Sequence, residues 1–191
     1  LNTEEGLKRI RLGSLEPGII TEEFAQKLSG LSRVCPHFHL SLQSGCDETL
    51  KRMNRKYDTE EFCACCERLR SHFDHPALTT DVMVGFPGET EEEFSETVAF
   101  LKKIRFYETH VFKYSRRKGT RADRMDGQIP EPVKTKRSDL LLKLTEENSL
   151  NYRTRLLGRT VEVLMEEPYV LQGKIWQTGH TREYVKVAVP G

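Results

Sequence analysis

No stretch of the chain approaches the roughly 18 consecutive apolar residues of a membrane-spanning helix, and the first dozen residues are charged, with no apolar segment of a signal peptide. An excess of either charge is also missing: 30 basic against 29 acidic side chains leave a net +1, which excludes a broadly basic protein that coats nucleic acid. A local basic patch stays open. Cysteine is scarce, five in 191 residues at irregular spacings, so a disulfide framework is excluded and a reducing, cytoplasmic setting is expected. There is no Gly-Lys-Ser/Thr phosphate loop, no HExxH, no nucleophile elbow and no convincing carboxylate pair. The first residue is Leu1 rather than a methionine, so the chain reads as a processed protein or a piece of a longer polypeptide.

What is present is an alternation of short apolar strands and amphipathic helices from Lys8 to Ser115. Strands are predicted at Ile10 to Gly13, Phe38 to Gln43, Leu78 to Gly85 and Thr109 to Ser115. Thr21 caps a first helix with Phe24, Leu28 and Leu31 on one face, and Asp58 or Thr59 caps a second with Phe62, Cys65, Cys66, Leu69 and Phe73. Thr90 and Glu93 form a capping box before Phe94, Val98 and Leu101. Strand, helix, strand in this order is the pattern of parallel βα units. Pro130 and Pro132 mark a boundary, after which Val133 to Leu157 reads as one long helix with Leu140, Leu141, Leu144 and Leu156 inward and Gly158 as its stop. Beyond Thr160 the period falls to two, at Val161, Val163 and Met165 and again at Val185, Val187 and Val189, as in a small antiparallel barrel. The expected organisation is therefore α/β over residues 1–129, a linking helix over 130–158 and a small, incomplete β domain over 159–191.

Two strings at strand ends could carry chemistry. In Asp81-Val-Met-Val-Gly-Phe-Pro-Gly-Glu-Thr90, Pro87 and Gly88 fit the centre of a type II turn, and this turn falls at the C-terminal mouth of a parallel sheet, where such sheets bind ligands. Spacing alone leaves a ligand site and a tight βα connection equally open. In His37-Phe-His-Leu-Ser-Leu-Gln-Ser-Gly45, Gln43 offers both a donor and an acceptor, and Arg55 and Asp81 could converge on it; a solvated Gln and a surface Arg are the alternative. His37 and His39 share a strand face and suit packing or hydrogen bonding better than metal binding. On a helix, Cys63 points away from Cys65 and Cys66, so these thiols do not converge on a metal, and Cys35 and Cys46 cannot hold a cluster between them. Basic residues clump at Arg116, Arg117 and Lys118, at Lys134, Lys136 and Arg137, and at Arg153, Arg155 and Arg159. These are either solvated faces or, from their positions, a track for a polyanion.

The strings RIRLGSLEP from Arg9, HFHLSLQSGCDETLKRMNR from His37, TTDVMVGFPGET from Thr79 and HVFKYSRRKGT from His110 together resemble the radical S-adenosylmethionine methylthiotransferases. Within that family, RLGSLEP and SLQSGCDETLKRMNR look most like the tRNA branch that places a methylthio group on C2 of N6-threonylcarbamoyladenosine beside the anticodon. The resemblance implies part of a TIM-type barrel, about four βα units, followed by a truncated TRAM-like β domain. It implies S-adenosylmethionine contacts at Gln43, Arg55 and Asp81, with Gly85, Phe86, Pro87, Gly88 and Glu89 as the adenine-side turn. It implies that the [4Fe-4S] ligands, a C-x-x-x-C-x-x-C loop, lie outside this chain, so that the chain alone is inactive and holds no metal. The tRNA anticodon arm is the implied partner of Arg116 to Lys118 and of the β domain, with Arg153, Arg155 and Arg159 leading into it; the electron and sulfur donors stay unassigned. A noncatalytic RNA-binding module, or a sibling acting on another tRNA adenosine or a ribosomal protein, is the alternative. Barrel strands absent from the chain would leave an open edge at Ile10 to Gly13, which favours dimerisation through it.

Overall fold

The computed structural model describes residues 2–191. Strands β1 (Ser14–Leu15), β2 (His37–Gln43), β3 (Ala77–Val84) and β4 (Glu108–Lys113) lie side by side in that order, all parallel. Between them run α1 (Glu22–Ser29), α2 (Asp47–Arg52), α3 (Thr59–His72) and α4 (Glu91–Ile104). The expected caps form: Thr21 accepts the Phe24 N–H, and full capping boxes close at Asp58/Glu61 and Thr90/Glu93. Each satisfies backbone donors that a helix start otherwise leaves open, an effect of about 1 kcal/mol.

Alternation along the strands divides the sheet into two faces. Phe38, Leu40 and Leu42 on β2, with Leu78, Val82 and Val84 on β3, point to the helices and are fully buried. Thr80 shares that side because its hydroxyl stitches the irregular register between Leu40 and Gln43, donating to the Leu40 carbonyl at 2.6 Å and accepting from the Leu42 N–H at 3.3 Å. Phe62 anchors the helix layer, with the rings of Phe100 and Phe106 edge-on at 6.1 Å. Cys63 was expected to face away from this layer, yet it is 8% exposed and part of the core, with its thiol turned to Glu67 on the same helix. The opposite, concave face carries His37, His39, Ser41 and Gln43 beside Thr79, Asp81 and Met83, and then Glu108, His110 and Phe112.

The first strand sits later than Ile10 to Gly13. Ile10 makes only an isolated parallel bridge to Val34. Its neighbours are drawn elsewhere: Arg9 donates to the His180 carbonyl at 2.7 Å and pairs with Glu162, and Arg11 lies 3.9 Å from the Tyr184 ring. The strand at this edge of the sheet is consequently the two residues of β1, a shorter template for pairing with another chain than the expected Ile10 to Gly13.

Helix α5 (Glu131–Thr154) starts at the mouth end of the sheet, beside Gly85 and Tyr114, and packs on β4. Thr145 accepts the Thr109 N–H at 2.7 Å and Leu141 is buried in the core. Leu140 is 44% exposed and does not belong to the inner seam, whereas Leu144 packs on the core and Leu156 on a second cluster of Ala77, Tyr107 and Val185. The helix closes before Gly158, which adopts φ 74° in the turn that follows.

The remaining strands, β5 (Leu164–Leu171), β6 (Lys174–His180) and β7 (Lys186–Pro190), form an antiparallel meander. Gln172 and Gly173, both at positive φ, make the tight hairpin between the first two. This is an open three-stranded sheet rather than a barrel, and Val161 and Val163 precede it instead of lying in a strand. It docks at the N-terminal ends of the parallel strands: Arg182 donates to the Ser32 and Val34 carbonyls at 2.6 and 2.8 Å, and Tyr184 stacks on His180 at 4.2 Å and approaches His37. No helix among the described residues is long and apolar enough to cross a membrane.

Candidate functional site

The residues singled out from the sequence lie at and beyond the C-terminal ends of β1, β2 and β3, but the cleft beside Arg55 is lined by neither Gln43, Asp81 nor the turn from Gly85 to Glu89. Gln43 ends β2 with φ 71°, a conformation that a non-glycine side chain adopts at a cost and that recurs where function dictates geometry. Arg55, in the loop between α2 and α3, faces Glu16, the residue after β1, at 3.5 Å. Both line a cleft of about 830 Å³ that also exposes Tyr57, Lys56 and Arg68. Tyr57 braces this corner by donating to the Ser41 and Leu42 carbonyls. Glu16 escaped the sequence reading; its only signal was its position between a strand and Pro17.

The turn after β3 has the expected type II form. The Glu89 N–H donates to the Phe86 carbonyl at 3.0 Å across Pro87 and Gly88, and Gly88 has φ 79°. Gly85, at φ 73°, is required for a second reason: a Cβ there would lie 2.2 Å from Lys134. The turn spends most of its donors internally. Gly88 N–H goes to the Gly127 carbonyl at 2.8 Å and Gly85 N–H to the Glu89 carboxylate. The Glu89 side chain is a brace beneath the turn, with the residue 5% exposed. Burial raises its pKa, partly offset by the Arg137 guanidinium 3.5 Å away.

Arg137 reaches that brace from α5, donating to the Glu89 carbonyl at 3.2 Å and pairing with Glu91. It is 4% exposed, and Lys134 donates to the Tyr114 carbonyl at 2.9 Å, so of the second basic clump Lys136 alone stands in solvent. Burying a guanidinium needs such partners, and here they engage Nη1 and Nη2 while Nε is buried without one among the described residues.

Asp81 sits lower, three residues before the end of β3, and is not at the rim. Its carboxylate meets His39 Nε2 at 3.2 Å, His39 Nδ1 meets Thr79 Oγ1 at 3.0 Å, and register places His110 on β4 opposite Asp81. One potential ligand atom from each of His39, Asp81 and His110 lies within 4.8 Å of the others. Sequence reasoning left His110 out, because its partners are set by strand register. His37, further down, is 4% exposed, and burial with Arg11 nearby pushes it down to about 4.

The other basic groups separate. Arg116 is held by Asp123, with its Nε 3.0 Å from Oδ1, while Arg117 and Lys118 are exposed. Arg153, Arg155 and Arg159 lie at the far end of α5, where Tyr152 donates to the His75 carbonyl and Arg155 rests 5.2 Å from the Tyr152 ring. A helix of 24 residues spans about 36 Å, so the two clumps stand at opposite ends of the sheet.

The cysteines do not fit an iron–sulfur cluster. All five are buried and free, Cys63, Cys65 and Cys66 within the α3 core, and burial raises Cys35, Cys46 and Cys66 and takes Cys65 to about 11, away from the thiolate a cluster needs. The mouth does fit a sulfonium nucleoside with an amino-acid tail. Arg55 and Glu16 offer opposite charges for a carboxylate and an amine, and Gln43 forms no side-chain hydrogen bond within the described chain.

Comparison with known proteins places these features. The profile of the radical SAM superfamily matches residues 3–101. The chain is similar to the threonylcarbamoyladenosine tRNA methylthiotransferase MtaB of Thermotoga maritima, 40% identical over 93% of this chain and 40% of the relative, and to that of Bacillus subtilis, 40% over 98% and 42%. It is equally similar to the tRNA-2-methylthio-N(6)-dimethylallyladenosine synthase of Caldicellulosiruptor saccharolyticus, 40% identical over 87% of this chain and 35% of the relative. The chain thus spans about two fifths of the length of the relatives it matches. In structure it resembles the Escherichia coli radical SAM enzyme coproporphyrinogen III oxidase, with a TM-score of 0.54 at 19% identity over 77% of this chain and 32% of that one. At that identity the likeness speaks for the fold alone.

Proposed function

The chain belongs to the radical SAM superfamily, and we propose that it is part of a tRNA methylthiotransferase that acts on C2 of N6-threonylcarbamoyladenosine next to the anticodon. The observation that carries the choice of substrate is the concave face of the sheet. His39, Ser41, Gln43, Asp81 and His110 give it accessible hydrogen-bonding groups, beside the apolar Met83 and Phe112. A dimethylallyl group buries best against apolar walls, whereas a threonylcarbamoyl group brings a urea, a hydroxyl and a carboxylate that need polar partners.

S-adenosylmethionine supplies the radical and methyl-transfer chemistry when bound. In this reading the chain's own residues hold and orient it. Arg55 takes the methionine carboxylate, Glu16 and Gln43 the amine or ribose, and Asp81, held by His39 lower on the sheet, takes a further polar group of the ligand. The turn from Gly85 to Gly88 presents backbone groups it has not already used, mainly the carbonyls of Gly85 and Pro87, and these suit the exocyclic amine of adenine. Glu89 and Arg137 keep that turn in shape. Arg117, Lys118 and the small β-sheet contact the anticodon arm, whose target base is turned out of its stack to reach the mouth. Because its cysteines do not form a cluster site, the 191-residue chain by itself is inactive.

Filter binding with anticodon-arm RNAs tests this reading. Tighter binding of the threonylcarbamoyl form than of the dimethylallyl form, weakening with salt, is expected. Equal binding of both overturns the substrate choice, and RNA binding by a chain that ignores S-adenosylmethionine favours a noncatalytic module.

A further inference from the structure

Three adjacent strands each bring one side chain to the same patch of the concave face: Asp81 on β3 stands opposite His110 on β4, and His39 on β2, opposite Thr79, reaches up to Asp81 from one step lower. We infer that these three form a binding site for a borderline divalent transition-metal cation, of the class that takes imidazole and carboxylate ligands together. These three residues also belong to the face on which the substrate reading rests, and zinc binding is therefore measured without RNA or S-adenosylmethionine, so that either reading can fail alone.

The chemistry of the donor set argues for a cation. One carboxylate and two imidazoles are acceptors once the rings are neutral, and they carry a single negative charge between them. A second anion would be repelled by Asp81. Two histidines and one carboxylate on one face, with the remaining positions open, suit zinc, cobalt, nickel or ferrous iron better than calcium or magnesium, which ask for more oxygen ligands.

The surroundings argue for a built site. His39 Nδ1 is engaged by Thr79 Oγ1 at 3.0 Å, which leaves Nε2 to point at Asp81, 3.2 Å away. Fixing one ring nitrogen so that the other faces the ion is how outer partners orient metal-binding histidines. Thr79 itself is 2% exposed and cannot easily swing away. His39 and Asp81 are half-buried and His110 is exposed, so the group is reachable from solvent on the His110 side. The rings of His39 and His110, with centroids 5.6 Å apart, do not stack face to face, which leaves room between their nitrogens. Neither His37, packed against Tyr184, nor Phe112 contributes a competing ligand.

The test is calorimetric titration of the 191-residue chain with zinc chloride, paired with the absorption spectrum of its cobalt(II) form. One site is expected, with nitrogen and oxygen ligation and no thiolate charge-transfer band. His110→Ala, whose exposed side chain carries little of the fold, should weaken zinc binding at least about tenfold, and Thr79→Val should weaken it about 10- to 100-fold through the lost orientation of His39. His180→Gln, which removes a carboxylate-paired histidine outside the site, should change nothing. Zinc binding that survives His110→Ala unchanged, a cobalt spectrum with thiolate bands, or no saturable binding at all overturns the proposal.

Discussion

The parallel sheet and the antiparallel sheet of this chain are built from similar apolar content but treat it in opposite ways. In β2 and β3 every second side chain is buried against helices, and the other face is mostly polar, with Ala77 and Met83 the exceptions on β3. In β5 every residue is exposed, and Leu164, Met165, Tyr169, Val170 and Leu171 lie in solvent together with Ile175 on β6. Helices supply the parallel region with its own core. The small sheet has no layer to cover it and depends on what it touches, chiefly Arg9, Arg182 and the Tyr184 stack at the foot of the other sheet. Stability should therefore be graded along the chain, highest around Phe62 and lowest in β5.

Trp176, the one tryptophan, lies on β6 and reports on the small sheet, while circular dichroism reports on the helices of the parallel region. In urea the Trp176 fluorescence should change before the helical signal; coincident transitions would merge the two regions into one cooperative unit. The largest single effect should come from Phe62→Ala, which removes the ring at the centre of the aromatic cluster and should cost about 3–5 kcal/mol in the helical transition.

Next is a pH effect at the junction. Burial holds His37 at about 4, below its ordinary value, so the folded chain binds fewer protons there than the unfolded one. The stabilisation is complete above about pH 6.5 and is lost as pH falls towards 4, a change of about 2–3 kcal/mol. Thermal melts of His37→Phe should be flatter across that window than those of the wild type. Arg182→Ala, which removes two hydrogen bonds from a charged donor, should cost about 1–3 kcal/mol and move the Trp176 transition alone. The smallest change, about 1 kcal/mol, is expected for Thr90→Ala at the α4 cap, confined to the helical signal.

The same contrast decides what could be read from the sequence. Strand and helix order in the parallel region, the caps at Thr21 and Thr90, and the type II turn at Pro87-Gly88 were legible because each follows from local spacing and backbone preference. The first strand was misplaced because Arg9 and Arg11 are claimed by a segment some 170 residues away, which no local pattern reveals. Arg137 looked like part of a solvated basic run, since its burial depends on Glu89 from another element. The partnership of Asp81 with His39 and His110 depends on strand register, and Glu16 and Arg55 meet only when two loops close. In the small sheet the period of two was visible, but whether it closed into a barrel was not.

The account rests on the mouth of the parallel sheet as the seat of S-adenosylmethionine. The most direct test is an amide NMR titration of the 191-residue chain with that nucleoside. Shifts centred on Gln43, Arg55 and Gly85 to Gly88, and weakened by Arg55→Ala, are the predicted result. Saturable binding whose shifts fall on β5–β7 or on the helix face, or a spectrum that does not change, would contradict it.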